Sequence, residues 1–325
     1  MIFGRKEISN IMENLVFSLN ATVPVFLLMI LGLLFRKIGW IEEEFAEKMN
    51  KFAFQVSLPV LVFKDLSTVD FEKVWNIKYI IFCFLATLLS IVISGIVSLI
   101  WKEKELRGEF IQASYRSSAA ILGIALIQNI YGTTGMAPLM FIGSVPLYNV
   151  MAVVILSIFK PGQNGFDRKV LKKSLTGIIT NPIIIAIVLG LCWSFFQLPL
   201  PPVMEKTVAN VAGMATPMGL ITMGAAFDLN KAFAKMKPAV TAAFLKLVGF
   251  CALFLPVAVS MGFRQEGLVA ILVMLGSATT VSSYVMAKNM GHEGVLSSSV
   301  VMVTTFFSAF TLTGWLYVLK SLGLV

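Results

Sequence analysis

Arg116, Ser117 and Ser118 stand together inside an apolar run, and Lys246 stands inside another with no acidic residue beside it. Further small polar groups lie in equally apolar surroundings: Asn149, and Ser277-Ala278-Thr279-Thr280 with Ser282 and Ser283. Basic heads, hydroxyls and amides are the groups that hold an anion, because each offers it hydrogen-bond donors. Bond-breaking chemistry needs a nucleophile with its base, paired carboxylates or a metal constellation. The apolar runs contain none of these. Cys83, Cys192 and Cys251 occur singly without CxxC spacing, and the sole histidine, His292, falls in a loop, so neither a disulfide framework nor a zinc site is expected. The pattern argues against an enzyme, and no cofactor is expected.

Each of these residues also has a plainer reading. Arg116 lies about six residues, roughly 9 Å, beyond the cytoplasmic start of its run, where its long stem can carry the charge back to the headgroups. Lys246 follows Pro238 by eight residues, roughly 12 Å by the same rise, and snorkelling is the favoured reading for it. Hydroxyls in apolar helices commonly bond the carbonyl of the preceding turn. An ionisable residue at membrane depth is nonetheless a functional-site hypothesis by default.

The elements that must position these groups are membrane spans. The 325 residues are 58% hydrophobic and 13% charged, with a mean hydropathy of +0.87, which excludes an ordinary soluble domain. Ten apolar runs are long enough, or nearly so, to cross a bilayer: Val16–Phe35, Met49–Phe63, Ile77–Trp101, Phe110–Tyr131, Met136–Phe159, Thr176–Phe196, Val208–Phe227, Pro238–Phe263, Gly267–Ala287 and Val295–Leu319. The net charge of +9 reads as loop orientation, not as nucleic-acid binding. Loops after the odd-numbered spans hold sixteen Lys and Arg residues against eight on the other side, so the positive-inside rule predicts a cytoplasmic central loop and both termini outside. The acidic residues all map to loops or span ends, which disfavours a proton relay through a buried carboxylate.

Internal repetition is the strongest organisational signal. Pro24 and Pro182, Gly32 and Gly190, and Pro59 and Pro217 are each 158 residues apart, and Gly108 with Gly267 and Ser118 with Ser277 are 159 apart. A first repeat over residues 1–159, a cytoplasmic linker over 160–175 and a second repeat over 176–325 would each hold five spans. An odd number forces the second copy to enter from the opposite side. Inverted repeats of this kind place a substrate site near the midplane, where interrupted helices of the two halves meet, and belong to transporters.

Specific residues add a resemblance. Ser57-Leu58-Pro59-Val60-Leu61-Val62-Phe63 in span two, Tyr115-Arg116-Ser117-Ser118 through Gly123-Ile124-Ala125-Leu126 in span four, Thr216-Pro217 with Gly224 in span seven, and Ser282-Ser283-Tyr284-Val285-Met286-Ala287 in span nine resemble the auxin efflux carrier family nearly end to end. The resemblance implies an all-α, polytopic, ten-helix fold like that of sodium/proton antiporters and bile-acid symporters, in which spans four and nine are interrupted and cross. Family members typically carry Asn and Pro where this chain has Ser118 and Ala125, and Pro and often Asn where it has Ala278 and Ser282. Without those prolines the break must rest on other residues, with Gly123 and the small polar runs as candidates.

The expected function is a secondary transporter in the cytoplasmic membrane that carries a small organic anion, such as a dicarboxylate or an auxin-like acid, by alternating access. Its expected site comprises Arg116, Ser117, Ser118, Gly123, Asn149, Lys246, Ala278, Thr279, Thr280, Ser282 and Ser283. The coupling ion is left open between sodium, proton and none. A sensor of the same fold that binds the anion without moving it needs the same pocket. The partners expected are the anion, the lipid bilayer and, through the non-crossing spans, a second copy of the chain; nucleic acid is not among them.

Overall fold

The computed structural model describes residues 23–24, 26–67, 76–118, 127, 130–131, 136–162 and 180–325. Helices account for the regular structure, and no strand occurs among the described residues. Following α1 (26–37), the chain turns at Gly39 (φ +81°) into α2 (Glu43–Phe52), which continues through a π-helical turn (Ala53–Ser57) into α3 (Leu58–Ser67). Next come α4 (Ile77–Ser98), α5 (Lys104–Tyr115) and α6 (Ala137–Ile158). The second half holds α7 (Pro182–Phe195), α8 (Pro202–Gly213), α9 (Ala215–Ala225) and the short α10 (Leu229–Ala234). It continues with α11 (Met236–Phe244), a second π-helical turn (Leu245–Gly249) and α12 (Phe250–Ser260). The chain ends with α13 (Gln265–Gly276), α14 (Ser282–Asn289) and α15 (Val295–Ser321).

Among the described residues, five stretches are long and apolar enough to cross a membrane: Ile77–Ser98, Ala137–Ile158, Pro202–Ala225, Met236–Ser260 and Val295–Ser321; Pro182–Phe195 and Gln265–Gly276 are shorter and apolar. Helix starts follow local chemistry. Asn76 accepts a hydrogen bond from the Tyr79 amide, Asn181 accepts one from Ile183 just ahead of Pro182, and Asp228 accepts from Asn230 and Lys231.

Packing sorts the helices into two bundles. In one, α2, α3, α7, α8 and α9 pack on one another. A Cβ on Gly32 of α1 would lie 2.1 Å from the Ile221 carbonyl oxygen, and one on Gly224 of α9 would lie 2.0 Å from that of Met29. These two glycines let α1 and α9 touch backbone to backbone, the close approach on which helix association in lipid relies. The other bundle gathers α4, α5, α6 and α11 to α15, whose buried residues form the larger apolar core. The bundles meet chiefly where α14 lies against α9, α2 and the first π turn.

Spans four and nine are interrupted, as the resemblance implies. Helix α5 ends at Tyr115 and α13 at Gly276, each followed by an extended residue, Arg116 (ψ 135°) and Ser277 (ψ 163°). The extended segments pass each other: the Ser118 amide donates to the Ala278 carbonyl at 2.9 Å, and Thr279 Oγ1 donates to the Ala113 carbonyl at 2.7 Å. No proline lies in 104–118 or 265–289.

One expectation needs correction. Span four does not begin at Phe110: its helix starts six residues earlier, at Lys104, and so carries Glu109 inward to 2% exposure. That carboxylate is stable there because it accepts from the Gly294 and Ser297 amides at 2.9 and 2.8 Å, capping α15. His292 lies in the loop between α14 and α15, as expected, and is buried there at 4% exposure, with Nε2 against the Leu156 carbonyl at 2.9 Å.

Candidate functional site

A cavity of about 670 Å³ opens between the two bundles at the crossing. One wall is mostly apolar, with Leu58, Leu61 and Val62 of α3, Ile183 of α7, and Ala209 and Ala212 of α8, and carries Lys64 and Asp65 at the far end of α3. The facing wall is polar and comes from the interrupted spans and α6: Arg116, Ser117, Ser118, Tyr148, Asn149, Thr280 and Ser282.

Arg116 holds the centre of that wall. As the first residue after α5 it sits where a helix's carbonyl end favours a cation. It is 3% exposed and does not snorkel. Its guanidinium donates to Asn149 Oδ1 and Ser282 Oγ, both at 2.9 Å, and to Met286 Sδ at 2.7 Å, while Nε has no partner. No carboxylate pairs with it among the described residues. The first turn of α14 also faces the cavity through Val281 and Ser282, so backbone dipole and guanidinium place positive charge on the same spot. Such a wall suits an oxyanion, and the apolar one suits its hydrocarbon part.

Of the expected site residues, Arg116, Ser117, Ser118, Asn149, Thr280 and Ser282 line this cavity. Ala278, Thr279, Ser283 and Lys246 stand behind it. Ala278 contributes its carbonyl to the bond from Ser118, and Thr279 bonds Ala113 through its hydroxyl while its amide donates to Thr304 Oγ1 at 3.0 Å. The carbonyl of Ser283 accepts from Gln112 Nε2 at 2.8 Å. Gly123 lies outside the described residues. Lys246 departs most from expectation: it does not reach the headgroups but is 0% exposed, its Nζ donating to the Tyr115 and Met274 carbonyls at 3.2 and 3.3 Å and to Ser117 Oγ. The π-helical turn that carries it faces the crossing, so its stem runs inward.

Lys64 and Asp65 also line the cavity, although a charged pair past the apolar run reads as a span end. The signal was available: Leu58, Leu61, Val62 and Asp65 follow the i, i+3, i+4, i+7 spacing of one helical face. A second cavity, of about 550 Å³, takes up the other ends of the same helices. It is lined by Ala46 and Asn50 of α2, Thr222 and Ala225 of α9, and Tyr284 and Lys288 of α14. Between the two cavities, Gly219 of α9 lies against Val281 and Val285.

Comparison with known proteins agrees with this architecture. A family model described as membrane transport protein matches residues 17–316. A protein of Methanothermobacter thermautotrophicus called an uncharacterized transporter is 20% identical over 311 residues, covering 93% of this chain and 98% of its own length. Among solved structures, the sodium proton antiporter of Methanocaldococcus jannaschii superposes with a TM-score of 0.61 at 12% identity, covering 94% of this chain and 99% of that one; at that identity the likeness is one of fold.

Proposed function

This chain belongs to the membrane transport protein family, and on that premise we propose that it is a secondary transporter carrying a small organic anion across the cytoplasmic membrane by alternating access. The observation that carries the anion reading is Arg116. Its charge is buried at the cavity wall, has no carboxylate partner among the described residues, and is backed by hydroxyl and amide groups. A buried cation without a counter-charge is costly, and a ligand carboxylate removes that cost on binding. A cationic substrate would face Arg116 and the N-terminal turn of α14, with Asp65 as the acidic group of the cavity lining.

The geometry also supports a route. The two cavities open at opposite ends of α9 and α14, and the bundles can slide past each other there to expose the site to one side and then the other. On the positive-inside reading the larger cavity faces outward and both termini lie outside. Helices α5 and α13 are each 12 residues long and each end in an extended residue, which supports the inverted repeat. A homodimer through the α1, α2, α3, α7, α8 and α9 bundle would leave the crossing bundle free to move.

The test is charge movement and counter-flow in proteoliposomes challenged with malate, malonate, other small carboxylates and indole-3-acetate. Saturable exchange of one of these, abolished by Arg116→Ala, supports an anion carrier. Transport of cations alone overturns it, and specific binding of a carboxylate with no counter-flow assigns the chain to sensing instead.

A further inference from the structure

Breaking a helix inside a membrane leaves carbonyls that must find donors, because neither water nor lipid supplies them. Proline is the usual means of enforcing such a break, and 104–118 and 265–289 contain none. Three of the last four carbonyls of α5 nonetheless have donors: Gln112 accepts from the Arg116 amide, Ala113 from Thr279 Oγ1 and Tyr115 from Lys246 Nζ. At the end of α13, Val273 accepts from the Ser277 amide, and Met274 accepts from Ser117 Oγ, Tyr148 Oη and Lys246 Nζ. Among the described residues, Lys246 alone donates to carbonyls at the ends of both helices. All of its polar contacts, the two carbonyls and Ser117 Oγ, belong to the crossing.

Two helix carbonyl ends brought together repel, since each carries about half a negative charge. A cation between them offsets both, and the same carbonyls offset the cation's own burial. The location is set by the second π-helical turn, Leu245–Gly249, whose extra residue turns Lys246 out of helical register and toward the crossing. Cys251, one turn further on, packs so closely under α13 that a Cβ on Gly276 would lie 2.6 Å from its sulfur, which holds α12 and α13 together beneath the lysine.

We infer that Lys246 is the positioning residue of the crossing: its ammonium is the resident counter-ion of both helix ends, filling the place a dissolved sodium ion would take there. The consequence for the carrier, which rests on the function proposed above, is that sodium is not needed to hold the anion site together. Arg116 and Ser118 follow directly on the helix end that Lys246 fixes, so loss of the ammonium displaces the anion-binding wall without touching the anion itself.

Purified full-length protein tests this in detergent and in proteoliposomes. Lys246→Ala leaves a space beside the two carbonyls that methylammonium, with the same head group, can enter; Lys246→Met fills the space without charge. Each variant should lower the thermal transition and cut anion uptake about tenfold or more, the size expected when hydrogen bonds to a charged group are lost. Methylammonium should raise both for Lys246→Ala, and neither for Lys246→Met or the unaltered protein. The unaltered protein should melt and transport equally in sodium and in N-methylglucamine. A Lys246→Met protein with unaltered melting and uptake overturns the inference, and so does sodium-dependent stabilisation of the unaltered protein, which decides the matter even where neither variant folds. Methylammonium rescue of melting in a protein that moves no anion would retain the role of Lys246 and reject the transporter.

Discussion

Arg116 is buried without being locked into the fold, and that distinguishes a binding group from a structural one. Its partners Asn149 and Ser282 themselves line the cavity, so removing the guanidinium returns them to a wet space and does not orphan them in a core. Arg116→Ala is therefore expected to weaken carboxylate binding by about 1.5–3 kcal/mol, roughly tenfold to a hundredfold, with folded yield near that of the unaltered protein. Arg116→Lys keeps the charge and loses the planar fork, and should fall between the two. Binding isotherms beside size-exclusion profiles check this, and equal loss of binding and yield would make the arginine structural. Arg116 was legible because a charge in an apolar run is conspicuous whatever surrounds it. Lys246 was equally conspicuous, yet its direction was not legible, since the π-helical turn and the carbonyls of Tyr115 and Met274 that attract it are features of assembly. Glu109 was misplaced for a related reason: its stability depends on amides 185 and 188 residues away.

At the scale of elements, three glycines divide the helix contacts into fixed and sliding ones. Gly32 and Gly224 bring α1 and α9 into backbone contact within one bundle, where an added methyl group meets a carbonyl that cannot rotate away. Gly219 instead faces side chains across the boundary between bundles, where an added Cβ would lie 2.9 Å from Val281 Cγ1 and 3.0 Å from Val285 Cγ2. Gly224→Ala should accordingly cost folding, by about 1–3 kcal/mol or more in overpacking. Gly219→Ala should fold, bind the anion and turn over more slowly, because the methyl group obstructs movement of α14 along α9. Transport rate measured beside carboxylate affinity separates the cases; Gly219→Ala with undiminished turnover would show that this contact does not slide. The pairing of spans was foreshadowed by residues 158 and 159 apart, Ser118 and Ser277 among them in the two extended segments, but Tyr115 and Gly276, where the helices stop, are 161 apart, so the repeat locates each break without fixing the residue at which the helix ends. Its position depends on Thr279 reaching Ala113 and on Lys246 reaching Tyr115, contacts between residues more than 100 positions apart that no local pattern encodes.

For the whole molecule, the two cavities make a prediction that neither makes alone. They occupy opposite ends of the span formed by α8 and α9, with Ala209 and Thr216 lining the larger and Thr222 and Ala226 the smaller, while Gly219 lies between. In a channel both ends would stay accessible together, whereas alternating access makes them reciprocal, because a single movement of one bundle opens one cavity as it closes the other. Cys83 and Cys251 are buried and Cys192 is exposed, so Cys192→Ser provides a quiet background for a reporter thiol. On that background Ala209→Cys and Ala226→Cys place one thiol in each cavity. A membrane-impermeant maleimide applied outside should label Ala209→Cys, and applied to inverted vesicles should label Ala226→Cys. Addition of the transported anion should then change the two labelling rates in opposite directions, by equal population shifts if two states suffice. Rates that rise together, or that ignore the anion, would reject the alternating mechanism while leaving the anion site of Arg116 intact.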